Sequence, residues 1–447
     1  MKKLSIYIIS AAFLVTGCSK KLDVQPTQSV DEEFVFTTDA NIKAALNGTY
    51  DVVSGASLLG GDVQMYSELL GAGDEITWVG TFNQPDEIYR KEILTNNSFI
   101  SATYLEGYRA INICNNILAN INTVNSADRD RVKGQALFLR GLVYFELVEL
   151  FAKPYSAGNV GTNPGLQIIL TPTVNGELTA ANRVARSSVQ DTYTQIVADL
   201  VAAKPIIGGE VGEYGSEYAV SAVLSRVYLQ MGNYAGARDE ANNVIENSGA
   251  ELETDYAKVF NNTSASKEDI YVLPVTAQDG SNDLQVYFSI TDYGARDGDI
   301  EINEDHINLY DASDSRGALF YLDGSDIYRS GKWKFQYRFL PVIRLGEMYL
   351  TRAEANFRLS TSVGATPAQD MLAIRSRAGL GAVAINLANI RYERRLELAH
   401  EGQRIQDIKR FQESIDGFSY DANELVFPIP LREINAGGGI LTQNPGY

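Results

Sequence analysis

Apolar side chains return at three- and four-residue steps through most of this chain, the spacing that gathers them on one face of an α-helix. Within residues 216–248 (SEYAVSAVLSRVYLQMGNYAGARDEANNVIENS), Leu224, Tyr228, Ala237, Ala241 and Val244 mark two such faces, and Gly232-Asn233-Tyr234 breaks them as a turn. PVIRLGEMYLTRAEANFRL followed by PAQDMLAIRSRAGL repeats the arrangement, with Tyr349, Ala353, Asn356 and Phe357 on the first helix and Met371, Leu372 and Arg375 on the second. Lys133–Phe151 reads as a third amphipathic helix that stops before Pro154. Its mate is Val189–Ala203, across a segment rich in Pro, Gly, Asn and Thr. A fourth pair joins the helix around Ala44–Tyr50 to Tyr104–Ile121, where Tyr104, Tyr108, Ile111 and Leu118 share a face.

The order Leu224, Tyr228, Gly232, Tyr234, Ala237, Ala241, Val244 is that of a tetratricopeptide repeat, in which small residues let two antiparallel helices approach. The expected fold is mainly α, a tetratricopeptide-like scaffold of about four helix pairs with long loop-rich insertions forming a ligand-binding region. Two excursions lack helical period: 51–97, with Trp78, and roughly 253–340, rich in aromatics and holding Trp333. Insertions on one side of such a scaffold are where ligands usually meet it.

Charge narrows the partners. A net charge of −18 excludes the basic face a nucleic-acid binder needs to release phosphate counterions. Across the whole surface, a neutral ligand is the easiest to accommodate. At the N-terminus, MKK and the short apolar run LSIYIISAAFLV precede Val15-Thr16-Gly17-Cys18, which resembles the lipobox of bacterial lipoproteins. That resemblance implies cleavage before Cys18 and acylation of it, a firm anchor at about 0.8 kcal/mol per buried CH2 without a membrane-spanning helix. Residues 1–17 are then a signal peptide. The other cysteine, Cys114, has no partner left for a disulfide and borders a helical face, so it is expected as a small buried hydrophobe.

Candidate chemistry centres on RYERRLELAHEGQRIQDIKRF, 391–411, where charges and apolar residues share helical spacing. Glu393, Arg394, Glu397, Glu401 and Arg404 could be a row of acids and bases or a structural brace. Acid–base work needs a cleft and pKa values pushed apart, whereas charges one turn apart beside opposite charges neutralise one another. The brace is the expectation, tying this helix to its neighbour and to the C-terminal tail. His306 and His400 make no zinc-binding spacing, and no nucleophile elbow or phosphate-binding loop occurs. The run DGDIEINED, 297–305, alternates carboxylates like a strand and lacks the glycine and final Glu of a calcium loop. A structural calcium ion has no other support, and neither a catalytic residue nor a cofactor is expected.

The C-terminal third resembles a known family. RLGEMYLTRAEANFRL, IRSRAGL, RYERRLELAHEGQRIQDIKRF and LVFPIPLREINAGGGILTQNPGY look, in order, like the four signature blocks of the SusD/RagB family. The lipobox, Leu22-Asp23 with Pro26, and ALNGTY at 45–50 match as well. Departures are Gln403 and Ile405, where a His and an aromatic are common, and the glycines at 437–439 in place of an Asn-Pro turn. The resemblance implies a surface-facing, lipid-anchored outer-membrane protein. It would be the lid of a SusC-like TonB-dependent β-barrel transporter, capturing oligo- or polysaccharide, or in some members peptide, and would not be an enzyme. Its regions would be 18–250, with tetratricopeptide-like helices and insertions, and 251–447, with aromatic loops and signature helices. The main alternative is a surface glycoside hydrolase or lyase on an α-helical scaffold.

No binding residue carries over by motif. A neutral sugar needs aromatic platforms flanked by amides and charged hydrogen-bonders. Trp78, Asn83, Gln84, Asp86 and Arg90 in one excursion have that mix, as do Tyr287, Tyr293, Lys332 and Trp333 in the other. Ligand binding is therefore expected at Trp78, Asn83, Arg90, Tyr287, Tyr293 and Trp333.

Overall fold

The computed structural model describes residues 35–173 and 179–447, so Cys18 and the leader lie outside the described residues. The first half runs α1 (Asp39–Ser54), α2 (Asp62–Leu70), β1 (Ile76–Trp78), α3 (Asn83–Arg90), α4 (Ser98–Ala119) and α5 (Ser126–Phe151). Helices α6 (Val189–Ile207), α7 (Glu217–Gln230) and α8 (Tyr234–Asn247) follow. Next come β2 (Asp269–Leu273), α9 (Asp283–Phe288), β3 (Ile300–Ile302), α10 (Glu304–Ile307), β4 (Phe320–Leu322), β5 (Tyr328–Ser330) and β6 (Leu340–Arg344). The chain closes with α11 (Leu345–Leu359), α12 (Pro367–Arg377), α13 (Leu387–Glu397), α14 (Arg404–Arg410) and α15 (Leu431–Ala436).

The four expected pairs form as α1 with α4, α5 with α6, α7 with α8 and α11 with α12. Local chemistry sets their starts. Ser188, Ser216 and Asn233 each accept a backbone N–H of the first turn, at Asp191, Ala219 and Gly236. At α12, Thr366 and Gln369 form a reciprocal capping box behind a proline. The third helix departs from expectation. It begins at Ser126 rather than Lys133, and from Val132 to Phe151 it is buried nearly all round instead of being amphipathic. The reason is its position: α4 and α6 flank it, and the C-terminal tail covers its end, where Phe427 N–H donates to Leu150 O at 2.8 Å. Gly134 permits the approach of α6, since a Cβ there would sit 2.7 Å from Ile207 Cα. One hydrophobic core runs from Ile42 to Leu441 and includes Cys114, whose thiol burial pushes up to about 12.

The two excursions fold onto each other. Strands β1, β3, β5 and β4 make an antiparallel sheet in that order, with Trp78 opposite Ile300 and Ile76 opposite Ile302. DGDIEINED thus supplies the strand that joins the first insertion to the second. A separate ribbon pairs β2 with β6 and leads straight into α11.

Arg140 of α5 ties three helices in the core. Its Nε and Nη2 donate to Asp199 of α6 at 2.8 and 2.7 Å, and Nη1 donates to Asn115 of α4 at 2.7 Å. Arg140→Met leaves Asp199 charged and buried without its main partner. We expect it to lower unfolding free energy by ~3–5 kcal/mol in urea titration, with Arg140→Met/Asp199→Leu recovering most of the loss.

Candidate ligand-binding surface

The charged motif at 391–411 does not form one helix. Helix α13 ends at Glu397, and the chain turns through His400 (φ 62°) and Gly402 (φ 81°) before α14 begins. A side chain at Gly402 would meet Gln64 Cα at 2.7 Å, so α2 lies directly against the turn. Most of the motif's charges pair outward, while Asp407 takes Arg394 and Arg410 from within it. Glu397 accepts from Arg344 at 2.6 Å and from Arg316 at 3.1 Å, and Arg377 closes on it as well. Glu401 accepts from Arg344 and Lys332, each at 2.6 Å. Glu393 pairs with Arg316 and Arg375, each at 2.7 Å. Arg394 lies 3.1 Å from Glu347 and 2.9 Å from Asp407, and Arg404 reaches Glu75 at 2.8 Å. The partners therefore lie on β6, α11, α12, α14, the 314–332 loops and the first excursion. The C-terminal tail, expected as a partner, is held elsewhere.

Burial alone would raise the Glu397 carboxyl, but the guanidiniums of Arg377, Arg344 and Arg316 hold it well below the usual range. Glu347 is likewise buried, and Arg226 and Arg394 bring it down to about 2. A cavity of about 320 Å³ opens between α2, β1 and the α13–α14 turn, lined in part by Glu68, Glu75, Arg395 and Arg404. Burial pushes Glu68 up to about 7, while its carboxylate accepts the Gly402 N–H at 2.8 Å. Glu75 goes the other way: burial would raise it, but His306, Arg404 and Arg395 bring it down to about 2. Its two oxygens are occupied, by His306 Nδ1 at 2.7 Å on one side and by Arg404 and Arg395 on the other. A carboxylate so engaged on both oxygens is a strut.

The aromatics sort into buried and displayed sets. Trp78 is 6% exposed and packs 5.7 Å from Tyr287, itself 4% exposed. Trp333 is 4% exposed, stands edge-on to Phe260 and donates its indole N–H to His400 O at 2.8 Å. Lys332 is buried against Glu401. Trp78, Tyr287 and Trp333 were expected to face ligand, and the structure instead builds them into the core, with Lys332 beside them. The Trp333 ring gains from burial because its indole N–H finds the His400 carbonyl, whereas the Trp78 ring is held by its packing against Tyr287 and, among the described residues, its N–H has no hydrogen-bond partner. Asn83 and Arg90 are exposed at the two ends of α3, with Arg90 paired to Asp86 at 3.1 Å.

Tyr293 is half-buried and belongs to an outward-facing group. Its ring meets Phe335 at 5.3 Å and Tyr321 at 5.9 Å, both nearly perpendicular. Phe335 and Tyr337 are each 39% exposed, and Lys334 Nζ lies 4.4 Å from the rings of Tyr293 and Tyr321. Beyond the 291–299 loop, Phe82 (38% exposed) carries the Arg296 guanidinium at 4.1 Å over its ring. Tyr321, Lys334, Phe335, Tyr337 and Phe82 were not singled out from sequence as binding residues. The alternation of cations and aromatics in KWKFQYR was the available signal.

Two family profiles match consecutive parts of the chain: one described as starch-binding and associating with the outer membrane, over residues 20–229, and the SusD family profile, over 226–426. The chain belongs to the SusD family. It is 26% identical to SusD-like protein P2 of Formosa agariphila, across the full length of both. A SusD superfamily protein from Bacteroides thetaiotaomicron VPI-5482 superposes with TM-score 0.80 at 24% identity, covering 91% of this chain and 100% of that one. A laminarin-binding SusD-like protein superposes with TM-score 0.77 at 22% identity, covering 92% and 100%. Among the described residues no helix is long and apolar enough to cross a membrane.

The SusD signature blocks in this chain are thus packing and charge-burial elements. The final block closes over α5: Asn444 Nδ2 donates to Phe151 O and Phe427 O at 2.8 and 2.7 Å, and Gln443 exchanges two hydrogen bonds with Ile429 at 2.7 Å. Glu347 titrates at about 2 when folded against 4.5 for a free Glu. Its contribution is therefore fully present above pH 4.5 and lost as pH falls toward 2. Glu68 acts in the opposite sense, its burial becoming less costly as pH falls from about 7 toward 4.5. We expect thermal unfolding scans to show Tm dropping steeply below pH 4.5, with Glu347→Gln less stable at neutral pH and showing a shallower acid limb.

Proposed function

We propose that this SusD-family protein is a cell-surface glycan-capture lipoprotein. In this reading it is anchored through acylated Cys18 and acts as the lid of a SusC-like TonB-dependent outer-membrane importer. The observation that carries the reading is the displayed aromatic group, Tyr293, Tyr321, Phe335 and Tyr337, on a scaffold whose family is described as starch-binding. Exposed rings on a folded loop stack against the C–H faces of sugars and expose little surface otherwise. Trp78, Tyr287 and Trp333 serve the same site from below, as the packing that positions the loops, while Asn83 and Arg90 remain available at its margin. Binding without turnover fits the ion pairs of Glu393, Glu397 and Glu401, each of which neutralises a buried cation.

Three measurements test this. Phe335→Ala and Tyr293→Ala should weaken glycan binding in affinity electrophoresis by roughly tenfold, about 1.4 kcal/mol, with Tm unchanged. Trp333→Ala should instead lower unfolding free energy by ~3–5 kcal/mol, as a core truncation does. Detergent extraction of the full-length, C-terminally tagged protein from its native membrane should recover a large TonB-dependent barrel. Recovery of the protein alone would remove the importer-lid role, and shortening of a glycan on prolonged incubation in a manner abolished by Glu68→Gln would replace the capture reading with the surface-hydrolase one.

A further inference from the structure

We infer that the glycan taken by the 293–338 surface is anionic, bearing carboxylate or sulfate groups on its sugars; this rests on the glycan-capture reading and narrows its ligand class. The geometry points there through two cations in one short loop. Lys334 Nζ is held among three rings, 4.4 Å from the centroids of Tyr293 and Tyr321 and 5.6 Å from that of Phe335. No carboxylate lies within ion-pair distance of it among the described residues. Four residues on, the Arg338 guanidinium lies 5.8 Å over the Phe335 ring. Among the described residues it donates only to the backbone carbonyls of Gln336 and Tyr337, each at 3.1 Å.

Ring faces stabilise a cation without cancelling its charge. The pair therefore presents two full positive charges beside the exposed rings of Phe335 and Tyr337. The chain carries a net charge of −18, so acids are plentiful, and the arginines of the 391–411 motif are each matched to a carboxylate. A loop built for a neutral sugar would need the rings and hydrogen-bond acceptors but no unmatched ammonium.

The loop is also fixed before any ligand arrives. Asn261 Oδ1 accepts the N–H groups of both Lys334 and Phe335, at 3.0 and 3.1 Å. Ser289 Oγ donates to Lys334 O at 2.8 Å, and Gln336 bonds across to Gly294 O. Immediately before the loop, Lys332 and Trp333 are anchored in the core at Glu401 and His400. Cations held in place this way lose little entropy on meeting an anion, which is how a local site overcomes a repulsive overall charge.

The test uses the mature protein on an array of neutral, uronate-containing and sulfated oligosaccharides, each acidic member paired with its carboxyl-reduced or desulfated form. We expect binding to an acidic member, at least tenfold weaker after its acid groups are removed. Retention by the carboxyl-reduced forms would point to sulfate, and by the desulfated forms to uronate. Binding should also weaken from about 0.01 M to about 1 M salt, as the screening length falls from ~30 to ~3 Å. Lys334→Met keeps the packing among the rings and should cost the acidic ligand at least tenfold with Tm unchanged. Equal affinity for acidic and neutralised forms, or an unaffected Lys334→Met, overturns the anionic assignment while leaving glycan capture intact. Binding to no glycan on the array overturns both.

Discussion

The constraint on which the rest of the structure depends is the burial of Glu397 among Arg344, Arg316 and Arg377. Four charged groups removed from water are tolerable only if each is matched and hydrogen-bonded. That requirement fixes where α13 ends, how α11 begins after β6, and where the 314–332 loops must pass. Arg344 makes the join explicit, bonding Glu397 and Glu401 at once from the junction of β6 and α11. An apolar core of equal volume would hold these elements together without specifying their register. The ion lattice does specify it, because moving any member by one residue strands a charge.

From this lattice the outward surface is built in short steps. Glu401 holds Lys332, the His400 carbonyl holds the Trp333 indole, and the next residues emerge as the Lys334–Arg338 loop. The first excursion is locked to the same region twice, by Glu75 beneath Arg395 and Arg404 and by β1 pairing with β3. The helical pairs supply a rigid back and the lattice supplies the registration. The loops between them carry side chains whose orientation is settled by groups far away in sequence. A chain organised this way can vary its displayed loop residues while its signature residues stay bound to one another.

Helix pairing was legible in the chain because it depends on local periodicity, small residues at contacts and capping chemistry, each written within a single helix or at its ends. The brace was legible for a related reason, since acids and arginines at such density cannot be buried unpaired. Its partners were not, because Arg344, Arg316 and Lys332 reach the motif across 53, 81 and 69 residues of chain. For the same reason, the single helix read over 391–411 is really two helices and a turn with positive φ at His400 and Gly402.

The binding residues show the division most clearly. By itself, the sequence determined that two insertions, the second rich in aromatics, stand on a helical scaffold, that charges in the C-terminal blocks must neutralise one another, and that the chain carries the SusD signatures. Which aromatic faces solvent was decided only by tertiary structure. Trp78 and Trp333 look more like ligand platforms than Phe335 in any local window, yet the tryptophans are buried and the phenylalanine is displayed. Exposure follows from which ring edge finds a distant carbonyl or a neighbouring ring, and the pairing of β1 with β3 and the anchoring at His400 settle that only once the fold is complete.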